Sequence, residues 1–289
     1  MLLAGSTPTV AGEKPGAAKA SEDGGAAVAP IELRVRLLGN VQPIVEGSVG
    51  GRSNVNILVD TGTTPAVIDA ELARSLGLQM VPGSLTLLDG TRRTKGTWVP
   101  DLQVGPVHKR VVPAVVHDLS FLRKRFGVSV GIIIGFDVLG DTSFRLDYGK
   151  QTLSFQNADS GGMAIPVSRD WPFAVVNAEV DKQNLRLLVD TGAAGLVLFR
   201  ERLHGRLYDA NSLKPASVEN LGGRMSAWGA TPLRHVDLNV QGTALHADSV
   251  FLVADHGDLP EYDGLLSVRS SGFRVLAYDH ETRTLYLHF

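Results

Sequence analysis

"NILVDTG" at residues 56–62 and "RLLVDTG" at residues 186–192 are one apolar strand written twice, each copy ended by Asp-Thr-Gly. Asp60 and Asp190 stand 130 residues apart in a chain of 289. That spacing is close to half the chain and suggests equivalent points in two similar halves. The likeness extends beyond the tripeptide. "FAVVNAEVDKQNLRLLVDTG" at 173–192 aligns with "PIVEGSVGGRSNVNILVDTG" at 43–62, and Trp98 corresponds to Trp228. "LDYGKQTLSF" at 146–155 likewise corresponds to "YDHETRTLYL" at 278–287. Self-similarity at this period marks an internally repeated architecture.

Most of the chain from Ile31 onward consists of short runs rich in Val, Ile, Leu and Thr, bounded by Gly, Pro and Asp. Such runs predict strands in a mostly antiparallel β protein. The main exception is "TPAVIDAELARSLGL", where Ala66, Val67, Ala70, Leu72, Ala73 and Leu76 followed by Gly77 predict a short helix. Residues 1–29 are rich in small and polar types without apolar periodicity. They are expected to be a disordered leader or the remnant of an export signal, and the compartment stays open. "QNADSGG" at 156–162 has linker composition, giving halves at 31–155 and 163–289.

Composition removes several functions. A net charge of −2 with no clustered basic excess argues against a nucleic-acid partner, and "RKR" at 123–125 reads as a solvated loop or helix face. The chain has no Cys, which excludes disulfides, thiol catalysis and thiolate metal sites. No apolar stretch is long enough for a membrane-spanning helix. The eight His residues show no "HExxH" pairing, and no "GxSxG" elbow is present. "DHGDLPEYD" at 255–263 reads as a solvated acidic loop. "GSVGGR" at 47–52 lacks the Lys-Ser/Thr of a phosphate loop and reads as a turn between strands. No metal or other cofactor is expected.

One Asp-Thr-Gly is explained by a polar turn, but a pair at matching points of a repeat calls for a joint task. Two carboxyls held together resist simultaneous ionisation, so they share a proton and offer an acid beside a base. That is what activating a water against a peptide carbonyl requires. Gly62 and Gly192 leave room for backbone amides to approach the carboxylates. Thr61 and Thr191 can reach across to the opposite loop. Thr63 can donate to Asp60, whereas Ala193, its counterpart, cannot donate a side-chain hydrogen bond to Asp190.

On these residues the chain resembles the retropepsin-like and pepsin-like aspartic peptidases, in the manner of bacterial single-chain aspartyl proteases. In that family each lobe carries an apolar-apolar-Asp-Thr-Gly loop and a later pair of apolar residues followed by Gly. Here these read "LVDTG" with "IIG" at 133–135, and "LVDTG" with "LLS" at 265–267, Ser267 replacing the Gly. The resemblance spans about residues 31–289. It implies a mainly β, two-lobed, pseudo-twofold acid-protease barrel fold with a few short helices, working as a monomer. It also implies a catalytic dyad of Asp60 and Asp190, supported by Thr61, Gly62, Thr63, Thr191, Gly192 and Ala193. Flap hairpins over the cleft would fall at 85–96, with Leu88 and an Asp89-Gly90 turn, and at 218–229, with Gly222-Gly223 at the tip. The implied activity is endopeptidase action on extended polypeptide. The rival readings are an inactive peptide-binding or scaffolding module on the same fold and a structural β-domain. Neither the substrate nor the pH optimum follows from the residues.

Overall fold

The computed structural model describes residues 3–4, 31–88, 90–155, 161–168, 173–203, 216–220, 223–227, 236–247, 249–254 and 262–289, the side chains of 3–4, 216–220 and 223–227 excepted. The protein is mainly β, with short helices at Ala70–Ser75, Ser120–Phe126 and Phe136–Leu139. No helix among the described residues is long and apolar enough to cross a membrane. The expected linker at 156–162 falls largely outside the described residues, as do most of the acidic loop at 255–263 and Trp228.

Five strands follow one another in the same spatial order in both halves. In the first they are Gln42–Val49, Arg52–Val59, Ile132–Ile134, Ala66–Asp69 and Val107–His117. In the second they are Val175–Val180, Gln183–Asp190, Gly264–Ser267, Leu196–Phe199 and Val250–Val253. Gly50 and Gly51, both at positive φ, turn the first pair of strands, in agreement with the turn read from "GSVGGR". In the first half the sheet curls until Ser48 and Val49 pair with Gln103 and Leu102 of the long strand Gly90–Val104, which closes a barrel.

The arrangement departs from the sequence expectation at the centre of each half. The strand ending at the first Asp runs parallel to Ile132–Ile134, and its counterpart runs parallel to Gly264–Ser267. Ala66–Asp69 is parallel to Val107–His117, and Leu196–Phe199 to Val250–Val253. These pairs join segments distant in sequence, so no hairpin turn advertises their direction. A second correction concerns the predicted helix. Ala66–Asp69 is a strand between Ile132–Ile134 and Val107–His117, and only Ala70–Ser75 is helical. Pairing on both edges buries Ala66, Val67 and Ile68 completely, and that burial outweighs the helical spacing of the apolar residues. Asp69 ends the strand and caps the helix, accepting from the N–H of Glu71 and Leu72.

The halves are joined by a six-stranded sheet with three strands from each. Its order is Met163–Pro166, Thr284–His288, Val275–Asp279, Phe144–Asp147, Thr152–Phe155 and Ile31–Arg34. The two hairpins matched in the sequence meet at its centre, where Leu146 pairs with Leu276. Phe136, Phe144 and Tyr278 cluster around this junction with tilted rings at centroid distances of 5.0–6.3 Å. One continuous apolar core therefore runs through both halves. The basic run 123–125 lies exposed on the last turn of the helix Ser120–Phe126.

Two hairpins occur where flaps are expected. Val81–Leu87 pairs with Gly90–Val104, with Leu87 opposite Gly90 and Leu88 in the turn. Gly90, expected in the turn itself, instead begins the return strand at φ 106°. Asp89 lies outside the described residues. The second hairpin pairs Ala216–Asn220 with Gly223–Ala227, and Gly222 lies outside the described residues. Leu3–Ala4 forms a short strand between the flap and the first loop, parallel to Thr63–Thr64 and antiparallel at Thr86.

Candidate active site

Each Asp-Thr-Gly loop begins where a buried strand runs out of partners, so its carboxylate is delivered to the junction of the halves from a rigid base. Asp60 N–H donates to Ile134 O at 2.8 Å, and Asp190 pairs in register with Ser267. Both Asp residues are fully buried.

The two loops are tied by four hydrogen bonds made in exchange. Thr61 N–H donates to Thr191 Oγ1 at 3.0 Å, and Thr191 N–H donates to Thr61 Oγ1 at 3.1 Å. Thr61 Oγ1 donates to Val189 O and Thr191 Oγ1 to Val59 O, each at 2.8 Å. Each hydroxyl thus accepts from one amide and donates to one carbonyl of the other half, which satisfies four buried backbone groups.

This grip sets the carboxylates face to face. A Cβ placed on Gly62 would lie 2.7 Å from Asp190 Oδ2, and one on Gly192 would lie 2.3 Å from Asp60 Oδ2. Only glycine permits these approaches. The Asp190 carboxyl stands close enough to Asp60 to bear on its ionisation. Burial, and then the neighbouring charge of Asp190, push the Asp60 carboxyl well above the usual carboxylate range.

The surroundings of the two carboxyls differ. Asp190 Oδ1 accepts from Gly192 N–H at 2.6 Å and Ala193 N–H at 2.9 Å. Asp60 Oδ1 accepts from Gly62 N–H at 2.9 Å, while Thr63 N–H turns to the Asp60 main-chain carbonyl at 3.1 Å. The expected Thr63 hydroxyl bond to Asp60 is not formed with hydrogen-bond geometry. Thr63 Oγ1 and Asp60 Oδ2 are buried without a protein hydrogen-bond donor or acceptor among the described residues, and the nearby hydroxyl acts against the upward push on Asp60 without reversing it.

Support beneath the loops differs as well. A Cβ on Gly135 would stand 2.1 Å from Thr63 O, so "IIG" packs directly under the first loop. In the second half Ser267 fills the corresponding space. Its Oγ donates to Ala193 O at 2.7 Å, and Ser270 Oγ donates to Ala194 O at 2.8 Å. A hydroxyl pair therefore replaces the close glycine contact.

Two contributors escaped the sequence reading. Gln42 Nε2 donates to Gly192 O at 2.6 Å, a side-chain tie from the first half to the second loop. Asp137 accepts from Ala66 N–H at 2.7 Å and Gly135 N–H at 3.1 Å, joining the support strand to the segment that follows the loop. Burial raises its carboxyl to about 6. Of the two, only Asp137 left a signal, as an acid two residues beyond "IIG" where the second half has Arg269. Leu88, named from the sequence as a flap candidate, is buried among apolar residues of the second half. No group of His, Asp or Glu suited to hold a metal ion occurs among the described residues.

Residues 45–138 match a family model described as Aspartyl protease. The matched stretch carries the first Asp-Thr-Gly loop, the turn of the hairpin between Val81–Leu87 and Gly90–Val104, and the "IIG" support, so this segment of the chain is of aspartyl protease type. No curated protein matches the chain.

Proposed function

From the premise of an aspartyl protease family segment, we propose that the protein is an aspartic endopeptidase whose site is completed by the second half. The observation that carries this reading is the pair of buried carboxyls, Asp60 and Asp190, each set against the glycine of the opposite loop by the crossed threonines. Asp60, the carboxyl whose acidity is suppressed, holds the shared proton and donates it toward the oxygen of the scissile carbonyl. Asp190, whose Oδ1 takes two backbone N–H donors, acts as the base that removes a proton from the attacking water. As the C–N bond breaks, the proton gained by Asp190 passes to the departing amine and Asp60 takes back a proton from a hydroxyl of the tetrahedral intermediate, so the pair returns to its singly protonated state. No covalent intermediate is needed.

An extended polypeptide fits the surroundings of the pair. The flap edge and the strand after the first loop lie one strand apart, and Leu3–Ala4 of this chain pairs with Thr86 on one side and Thr63–Thr64 on the other. A substrate strand entering there would gain main-chain hydrogen bonds on both edges, with side-chain pockets adding preference. Digestion of a proteome-derived peptide library across pH 3 to 8 tests the reading. Internal cleavage by the wild type and none by Asp60→Asn is expected. A hydroxyethylene peptide isostere that binds tightly without cleavage of any library peptide would instead support a binding module.

A further inference from the structure

A hairpin tip is ordinarily its most exposed part, yet Leu88, at the flap turn, is only 3% exposed. The strand leading into the turn packs on its own half, since Leu85 and Leu87 belong to a first-half cluster with Leu58, Val67 and Ile133. Neighbouring residues of a strand point to opposite faces, and Leu88 goes the other way. Every other buried member of its apolar cluster comes from the second half, among them Leu188, Ala193, Val197 and Phe199. Leu188 and Ala193 flank Asp190, and Ala193 N–H is one of the two donors to that carboxylate. The flap of one half is therefore fastened to the segment that carries the other half's acid.

We propose that Leu88 is a latch: its side chain, seated in the second half's apolar pocket, holds the first-half hairpin closed over Asp60 and Asp190 and steadies the Asp190 loop. The polar flap segment 89–94, "DGTRRT", supplies no other apolar anchor at the tip. Withdrawing a leucine from such a pocket changes the balance between closed and open flap by about 10- to 100-fold. Substrate entry then requires the latch to leave its pocket and return. Leu88 is thus a positioning residue, acting through the flap and through Ala193, and its effect on turnover rests on the proposed reaction.

The test compares Leu88→Ala and Leu88→Met in the full chain. Amide exchange at 84–88 and 90–92 is expected to quicken about tenfold or more in Leu88→Ala and to return toward wild type in Leu88→Met, whose flexible side chain can refill the pocket. Exchange in Arg52–Val59 should stay unchanged, and kcat/KM for a library-derived peptide should fall about tenfold in the Ala variant alone. Unchanged flap exchange in Leu88→Ala, or a uniform rise throughout the molecule, would overturn the latch. Exchange requires no turnover, so a wild type that cleaves nothing would defeat the proposed reaction while exchange still decides the latch.

Discussion

The two Asp-Thr-Gly loops share a frame and differ in their supports. Both end a strand that runs parallel to a short apolar partner, and both contribute equally to the threonine grip. The first loop rests on glycine, and its carboxylate accepts a single backbone amide. The second rests on Ser267 and Ser270, accepts two amides at its carboxylate, and is braced from the other half by Gln42. Neither Pro172 nor Phe173, the second-half residues at the matching place, has a side-chain donor to return the brace. A symmetrical frame brings the carboxyls together, and their unequal surroundings suit them to the different roles of the proposed reaction.

Exchanging the supports should break this comparison most severely. Gly135→Ser forces a Cβ to within 2.1 Å of Thr63 O, and the strand must move. A loss of about 3 kcal/mol or more in urea unfolding is expected, with most of the activity. Ser267→Gly removes one hydroxyl bridge and should cost only about 1–2 kcal/mol. Comparable losses in the two variants would show that the supports are interchangeable.

The grip tests the symmetrical side. Thr61→Val and Thr191→Val each remove one donated and one accepted hydrogen bond in buried surroundings. Each should lower stability by about 2–4 kcal/mol, and by nearly the same amount. A large inequality would mean that one loop carries the junction.

A smaller effect separates the halves by pH. The folded Asp137 carboxyl lies at about 6, above its ordinary 3.8. The folded protein therefore binds this proton more tightly than the unfolded chain. The resulting stabilisation is full below about pH 4 and is lost as pH rises through 6. Part of the side chain meets solvent, so the span is of order 2 kcal/mol. Unfolding free energies of wild type and Asp137→Asn measured from pH 4 to 7 should differ in slope, with the wild type weakening more as pH rises. Parallel curves would remove Asp137 from this account.

The meeting of the loops was readable because it rests on short-range chemistry repeated at matching points, namely an apolar strand, an acid, a hydroxyl and a glycine. The joining hairpins were readable for the same reason, through the shared "TL" of 152–153 and 284–285. Other features depend on which distant segment happens to lie alongside. Ala66–Asp69 has helical spacing and becomes a strand because two neighbours enclose it. Leu88 looks like an ordinary turn residue until the opposite half offers it a pocket. Gln42 carries no motif, and its partner is a backbone carbonyl 150 residues away.

The central claim is that Asp60 and Asp190 are one proton-sharing unit that neither half possesses alone. Steady-state cleavage of a library-derived peptide by Asp190→Asn, with circular dichroism and thermal unfolding confirming that the variant is folded, tests it most directly. The account predicts a loss of turnover of about a thousandfold or more in a folded protein. Turnover within a few-fold of wild type would contradict it, because Asp60 would then be working without its partner.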